Sequence, residues 1–162
     1  MDAFEGAIID LLPRLRRFAR ALTGQASDAD DLVQAAVERA LGRRDQWQVG
    51  TSLEAWMFRI TKNAWIDEAR SRTRRGRVLA PEAAGADVAD ERAGSAATRE
   101  LSLSVQAAMA QLPEDQRLAV ALILVEGLSY QEAADVLETP VGTVTSRLGR
   151  GRAALQAALA EA

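Results

Sequence analysis

The stretch from Gly127 to Arg150 constrains the fold of this chain more than any other. It has the pattern of two short amphipathic helices joined by a tight turn, and the second helix opens with Pro140. A short helix that braces a second, exposed helix is the usual way in which a protein presents side chains to the DNA major groove. The segment therefore predicts a helix-turn-helix that contacts DNA.

The two sides of the last helix differ in a way that suits DNA contact. On a helical wheel the apolar side consists of Val141, Val144, Leu148, Gly151, Leu155 and Leu159. The opposite side and its flanks carry small and hydroxyl residues around one arginine: Gly142, Thr143, Thr145, Ser146, Gly149, Arg150 and Ala153. We expect Arg150 to contact guanine or phosphate, with Thr145 and Ser146 beside it. A solvated helix face is the alternative interpretation.

Composition limits the fold class and the function classes. The 162 residues are 48% hydrophobic, Ala, Leu and Arg are abundant, and no strand-like alternation occurs, so we expect an all-α fold of two small domains. The absence of Cys and His argues against structural zinc, disulfides and histidine-based catalysis, and we expect no metal and no cofactor. The longest apolar run, Leu118–Val125, is too short to span a bilayer, and no signal peptide opens the chain. We therefore expect a cytoplasmic protein.

Charge is distributed unevenly although the net charge is only −3. Residues 59–77 carry seven basic and two acidic side chains, which gives +5. Residues 140–160 carry three arginines and no acid, whereas residues 81–100 carry five acids and two arginines, which gives −3. Because salt screens charges beyond about 10 Å, local patches decide phosphate binding. Two basic patches separated by an acidic segment are predicted.

Helical periodicity and capping signals divide the chain into two units. A first domain, residues 1–76, is predicted to hold a helix from Phe4 to Leu22, a second helix capped by Ser27 with Asp30 in the capping position, and a third from Thr51 or Ser52 to about Arg74. Residues 77–97 have the composition of a flexible acidic linker. Residues 98–162 form the second domain, in which Pro113 starts one helix and Ser129 with Glu132 forms a capping box for another.

The third helix offers a second cationic surface. Arg59, Asn63, Ile66 and Arg70 share one stripe, and Lys62, Arg72, Arg74 and Arg75 extend the positive charge. An amide between arginines, close to aromatic side chains, suits the binding of single-stranded DNA. Trp47, in the loop before this helix, fits either core packing or base contact. A merely solvated charged face is again the alternative.

Acidic and amide side chains line the second helix. Asp31, Gln34 and Glu38 recur at i, i+3 and i+7, a polar stripe suited to a protein partner. Paired carboxylates could also suggest a metal or acid–base site, but no histidine or further acid completes one. No nucleophile–base pair can be assembled either, so we do not expect an enzyme.

Several of these segments, in this order, resemble the extracytoplasmic-function (ECF) group of bacterial sigma factors, over nearly the whole chain. They are residues 28–34 (DADDLVQ), 56–67 (WMFRITKNAWID), Leu112-Pro113, 127–132 (GLSYQE) and 140–148 (PVGTVTSRL). The resemblance implies a promoter-specificity subunit of RNA polymerase, with a three- to four-helix sigma region 2 domain and a helix-turn-helix sigma region 4 domain.

The resemblance also implies roles for individual residues. Asp31, Leu32, Gln34 and Glu38 would dock on the clamp coiled coil of the largest polymerase subunit, and the second domain would meet the flap of the second subunit. The loop 45–52, which includes Trp47, would hold a flipped base of the −10 promoter element. The remaining −10 contacts would be Arg59, Lys62, Asn63, Arg70 and Arg74. The −35 element would be read by Thr143, Thr145, Ser146, Arg147 and Arg150.

Regulation by an anti-sigma factor is implied as well. Two alternatives stay open: a sigma-like mimic that sequesters an anti-sigma factor, and a free-standing helix-turn-helix repressor. The chain also departs from the family pattern at Thr145, where Lys or Arg is frequent, and at Gly149 and Gly151, which weaken the last helix. A weaker or altered −35 contact is therefore expected.

Overall fold

The computed structural model describes residues 1–75 and 96–161, which are helical apart from short connections. The helices are α1 (Ala3–Thr23), α2 (Ala26–Gly42), α3 (Leu53–Arg74), α4 (Ala96–Gln111), α5 (Glu114–Val120), α6 (Tyr130–Leu137) and α7 (Val141–Ala160), with a 3-10 turn at Arg44–Gln46 and a π-helical turn at Ala121–Val125. The described residues contain no strand, and the expected all-α class is confirmed.

Local capping sets both ends of α1. The Asp2 carboxylate accepts a hydrogen bond from the Glu5 backbone N–H at 2.9 Å and so satisfies one of the free donors of the first turn. At the other end Gly24 adopts a left-handed conformation, with φ 78°, and its N–H donates to the Arg20 carbonyl at 2.8 Å. Glycine reaches this conformation without the steric cost of a Cβ. The predicted bounds of the first helix are therefore confirmed to within one residue at each end.

The predicted capping of the second helix by Ser27 is wrong. α2 begins at Ala26, with Gln25 at the N-cap and no side-chain capping hydrogen bond. The Thr23 hydroxyl donates to the Gln25 carbonyl at 3.1 Å and holds the short connection, so the chain re-enters helix before Ser27. Asp30 is consequently an exposed residue of the helix and not a capping partner.

The N-terminal domain is a bundle of α1, α2 and α3. Ser52, one of the two caps that the sequence predicted, caps α3 by accepting a hydrogen bond from the Ala55 N–H at 3.1 Å. The core joins α1 to α3 through Phe18 and Phe58, whose rings meet edge to face at 5.1 Å. Both phenylalanines are fully buried, so this contact fixes which side of α3 faces inward.

The C-terminal domain packs α7 closely against α5. Gly151 makes the approach possible, because a Cβ at that position would lie 2.8 Å from the Cγ2 of Val120. The predicted capping box of α6 is confirmed: the Ser129 hydroxyl accepts from the Glu132 N–H at 3.0 Å, while the Glu132 carboxylate accepts from the Ser129 N–H at 2.8 Å. These bonds anchor the first helix of the helix-turn-helix.

Glu138 makes the turn between α6 and α7. It adopts a left-handed backbone conformation, with φ 55° and ψ 42°, and is the non-glycine residue with positive φ among the residues described. This conformation costs an L-amino acid about 1 kcal/mol relative to the right-handed one, and helices usually place glycine there. The turn thus keeps a carboxylate at a position that its backbone geometry disfavours.

The two domains pack against each other. α1 contacts α4 and the π-helical turn, α3 contacts α6, and the buried apolar side chains of both domains form one continuous cluster. The predicted linker, 77–97, lies outside the described residues except for its last two, which open α4. The division into domains at 1–76 and 98–162 stays a prediction.

Candidate nucleic-acid interface

The outward surface of α7 is open to solvent. We call Thr145, Ser146, Gly149 and Arg150 the α7 face, and all four are exposed. Val144 and Leu148, on the other side of the helix, are buried against the rest of the domain, as the helical wheel predicted. The Thr145 hydroxyl donates to the Val141 carbonyl at 3.0 Å, which orients it along the helix. The α7 face therefore presents one cation and small polar groups on a rigid support.

Two further residues predicted to read DNA lie at the edge of this face. Arg147 is half-buried, and its Nε lies 3.3 Å from the Asp115 carboxylate at the start of α5. Arg147 comes three positions after buried Val144, which places it 60° from Val144 on the wheel and explains the contact. Thr143 is likewise half-buried. In this structure Arg147 ties α7 to α5, while Arg150 is exposed.

The cationic surface of α3 is covered by the other domain. We call Arg59, Lys62 and Asn63 the α3 face. Lys62 is 5% exposed, and its Nζ lies 3.6 Å from the Glu138 carboxylate. Arg59 donates through Nη2 to the Asp135 carbonyl at 3.0 Å, and Asn63 is half-buried. The sequence-based expectation that Lys62 extends an exposed positive field is therefore wrong for this arrangement, because α6 packs on that side of α3.

Burial changes the chemistry of Lys62. Removal from water penalises the ammonium form, and this lowers the pKa of Lys62 below its usual value, with Glu138 opposing the shift. The Glu138 side chain is itself 62% exposed, so its charge is partly screened. Arg70 and Arg74, further along α3, are exposed.

A groove of about 860 Å³ lies between the predicted −10 loop and the helix-turn-helix. Its walls come from the loop, the start of α3 and the turn after α6: Gln46, Trp47, Gln48, Thr51, Ser52, Ala55, Trp56, Arg59, Ala134, Asp135, Glu138, Thr139 and Pro140. Trp47 is half-buried and packs on Phe4 at 5.7 Å between ring centroids. It therefore contributes to the core while bordering the groove, which accommodates both interpretations of this residue.

A buried carboxylate also joins the two domains, and sequence reasoning missed it. The Glu126 side chain has no exposed surface, and its oxygens accept from Arg17 at 2.7 and 2.9 Å and from Arg14 at 3.3 Å. These hydrogen bonds raise the pKa of Arg17. We call Arg14, Arg17 and Glu126 the interdomain ion cluster. The available signal was a single acid between Val125 and Leu128 at the end of an apolar run.

Arg117 of α5 makes a second polar bridge between the domains. It donates to the Leu22 carbonyl at the end of α1 at 2.9 Å and to the Leu112 carbonyl at 2.9 Å. Its guanidinium lies 5.4 Å from the centroid of the Trp65 ring, a cation–π distance. Burial lowers the pKa of Arg117. This bridge explains why Trp65 is buried and not available for stacking on bases.

The polar stripe of α2 stays accessible. Asp31, Gln34 and Glu38 are exposed, and the Gln34 amide donates to the Glu38 carboxylate at 3.3 Å. Leu32, predicted to contact the same partner, is 7% exposed and belongs to the core, so it supports the stripe from beneath. The described residues contain no cluster of three or more metal-ligating side chains, and none of their helices is long and apolar enough to cross a membrane.

Two family models match this chain, one in each half. Residues 8–62 match the family model "Sigma2 domain of PhyR", and PhyR is called an anti-anti-sigma factor in its solved complex with NepR. Residues 102–155 match "Sigma-70, region 4". The chain is 38% identical to the ECF RNA polymerase sigma factor EcfG of Rhodopseudomonas palustris, over 98% of this chain and 86% of the relative.

Solved structures resemble the whole chain. The sigma factor RpoE of Bartonella quintana, in complex with the anti-sigma factor NepR, superposes with a TM-score of 0.77 at 29% identity and 98% coverage of both chains. CnrH, in complex with the cytosolic domain of CnrY, gives 0.72 at 28% identity over 98% of this chain and 88% of the other. With the helix-turn-helix and both sigma domains in place, the chain belongs to the ECF RNA polymerase sigma factors.

Proposed function

We propose that this sigma factor recognises its promoters through the α7 face and the α3 face, and that it catalyses no reaction itself. The observation that carries the proposal is the exposure of the α7 face on a helix-turn-helix whose opposite side is buried. A rigid helix with one arginine, two hydroxyls and small neighbours can enter a major groove and contact base edges. Arg150 would supply the main −35 contact, with Thr143, Thr145, Ser146 and Arg147 around it.

The −10 element would meet α3 and the loop before it. Arg59, Lys62 and Asn63 would hold the backbone of the opened strand, and Trp47 would border the pocket of a flipped base. Arg70 and Arg74, both exposed, would contact phosphates of the adjoining duplex. This arrangement requires the α3 face to be freed from α6.

Core polymerase would be engaged through α2. Asp31, Gln34 and Glu38 offer an exposed polar stripe for the clamp coiled coil of the largest subunit, and Leu32 fixes it from the core side. The C-terminal domain would contact the flap of the second subunit. A partner of this kind implies a cytoplasmic location.

An anti-sigma factor would regulate this chain. The support is that two solved relatives were captured with a partner: the RpoE protein with the anti-sigma factor NepR, and CnrH with the cytosolic domain of CnrY. Native purification from the source cell, followed by mass spectrometry of the proteins that accompany the chain, tests this. Recovery of core polymerase with no small additional partner under any growth condition would contradict the regulatory part of the proposal.

Transcription reconstituted from purified components tests the function itself. Core polymerase plus this chain is expected to give promoter-dependent transcripts from a library of genomic fragments, and Arg150→Ala is expected to reduce them. Glu161→Gln, which changes an exposed carboxylate at the end of α7, is the control. Absence of any transcript from the whole library would sink the proposal, and binding to DNA without binding to core enzyme would favour a free-standing repressor.

The second candidate is the sigma-like mimic. One observation favours it: the model matched by residues 8–62 is named for PhyR, an anti-anti-sigma factor. A mimic needs no DNA contacts, whereas this chain keeps Arg59, Lys62 and Arg150 on its two faces. A chain that binds an anti-sigma factor but supports no transcription with core enzyme would be the mimic.

A further inference from the structure

The strained turn after α6 points beyond promoter recognition. Glu138 holds a backbone conformation that favours glycine, and non-glycine residues in such conformations concentrate where the side chain has a task. Its N–H makes the ordinary helix-ending bond to the Ala134 carbonyl, which glycine would make equally well. The contact that glycine could not make is the one between the Glu138 carboxylate and Lys62 Nζ.

The end of α6 presents two negative groups to the α3 face. The Asp135 carbonyl, in the last turn of the helix, accepts from Arg59, and the carbonyl end of a helix carries partial negative charge. The Glu138 carboxylate adds a full charge beside Lys62. A DNA strand would present its phosphate oxygens to the same two cations.

We propose that the helix-turn-helix carries an internal competitor for −10 DNA, in which Glu138 and the Asp135 carbonyl occupy the phosphate positions on Lys62 and Arg59. The inference rests on the −10 role assigned to the α3 face under the proposed function. Since a buried Lys62 cannot contact α6 and a DNA strand together, domain closure and −10 binding exclude each other. The chain on its own is thus held back from the −10 element until its domains separate.

The polar contact between α6 and the α3 face is weak. Glu138 is 62% exposed at its side chain and 3.6 Å from Lys62, so the pair is solvated and long. The Nε of Arg59 is buried without an acceptor among the described residues. A polar contact with an unsatisfied donor holds less firmly than a packed apolar one. DNA phosphates, which can satisfy both cations, would therefore compete with α6 for Lys62 and Arg59.

Binding of a short, fluorescently labelled single-stranded DNA of mixed sequence to the full chain tests the competition at low salt. Glu138→Gly removes the carboxylate, so it should tighten binding by about threefold to tenfold. Because glycine suits the left-handed backbone, the midpoint temperature of unfolding should not fall. Glu138→Gln, which keeps the side-chain length, is the second variant. Glu161→Gln changes the net charge equally and should alter affinity by less than about twofold.

A double-mutant cycle assigns the gain to Lys62. In a Lys62→Gln background, Glu138→Gly should no longer tighten binding, because the carboxylate then has no cation to shield. Equal gains in both backgrounds, or a gain no larger than that of Glu161→Gln, would overturn the proposal. Failure of every variant to bind the oligonucleotide would overturn it as well.

Spin labels measure domain closure directly. The chain has no cysteine, so cysteines introduced at exposed Thr73 and Ala154 take the only labels. The distribution of distances between the two labels should shift to longer values or broaden when the oligonucleotide binds. An unchanged distribution with DNA bound would refute the claim that domain closure and DNA binding exclude each other. Transcription with core polymerase reports separately on the proposed function, so a chain that opens on DNA yet yields no transcript would contradict the function alone.

Discussion

Two cationic helix faces predicted to contact DNA have opposite accessibility in this molecule. The α7 face is exposed, because α7 buries only the stripe containing Val144 and Leu148. The α3 face is covered, because α3 packs on two sides: against α1 and α2 in its own domain, and against α6 of the other. Charge pattern alone does not distinguish the faces. What separates them is the arrangement of the domains. Under the proposed roles, −10 contact would require the domains to open, whereas −35 contact would not.

The largest effect is expected at the interdomain ion cluster. Glu126→Gln keeps the shape of the side chain but removes the charge that two arginines share, and breaking such a buried pair costs up to several kcal/mol. Arg14 and Arg17 are partly exposed and can regain water, so we expect a loss of about 2–3 kcal/mol in domain docking. Urea unfolding followed separately in each domain should change from coincident to separate transitions.

Glu54→Gln is the matched control for this variant. Glu54 also pairs with Arg14, at 2.7 Å, but it lies within the N-terminal domain and its side chain is 36% exposed. We expect a loss of at most about 1 kcal/mol and transitions that stay coincident. Coincident transitions in Glu126→Gln would mean that the apolar interface alone holds the domains, and the α3 face would then be covered for a different reason.

A comparison of two arginines on α7 sharpens the contrast between exposed and engaged cations. Arg150→Ala should weaken binding of duplex −35 DNA by about 1–3 kcal/mol, because an exposed arginine is free to contact a base or a phosphate. Arg147→Ala, measured by the same fluorescence anisotropy titration, should have a smaller effect, since Asp115 already engages Arg147. The reverse order would show that Arg147 leaves Asp115 when DNA binds.

The same substitution, glycine to alanine, tests the buried side of α7 at Gly151 and the exposed side at Gly149. Gly151→Ala would place a Cβ 2.8 Å from the buried Val120, and overpacking should outweigh the gain in helix propensity by about 1 kcal/mol. Gly149→Ala meets nothing within 4 Å and should stabilise the helix by up to about 1 kcal/mol. Thermal unfolding measures both. Equal shifts would mean that α7 does not pack on α5 through Gly151.

Features governed by near neighbours could be predicted from the sequence. Gly24, Ser52, the Ser129–Glu132 capping box and Pro140 each mark a helix end through contacts within a few residues, and all four are confirmed. Ser27 failed because a second local signal, the Thr23 hydroxyl, holds the connection so that the N-cap falls at Gln25, two residues earlier. Propensity cannot rank two such competing caps.

Contacts between the domains had no comparable signal. Arg59 meets Asp135 across 76 residues, and Arg14 meets Glu126 across 112. No periodicity extends over such separations, so a helical wheel could place Lys62 on a cationic stripe but not beneath α6. The helix faces on which the candidate residues lie were therefore predictable, while the accessibility of those faces was not.

The smallest expected effect concerns the support of the α7 face and depends on pH. The Ser129 N–H, which donates to the Glu132 carboxylate, lowers the pKa of Glu132 below its usual 4.5. A carboxyl group with a lowered pKa contributes stability above the unfolded-state value and loses that contribution as pH falls through the folded-state pKa. Glu132→Gln should therefore lower the free energy of unfolding by about 0.5 kcal/mol at neutral pH. It should change that free energy very little once the pH is below the folded-state pKa of Glu132.

Comparison with Ser129→Ala separates charge from capping. Glutamine at position 132 can still accept from the Ser129 N–H, so Glu132→Gln removes only the pH-dependent part of the capping box. Ser129→Ala removes the hydroxyl that accepts from the Glu132 N–H and should destabilise α6 at every pH. Parallel pH profiles of unfolding for the native chain and Glu132→Gln would show that the carboxylate charge contributes nothing. The capping box would then support the α7 face through the hydroxyl bond, alongside the burial of Val144 and Leu148.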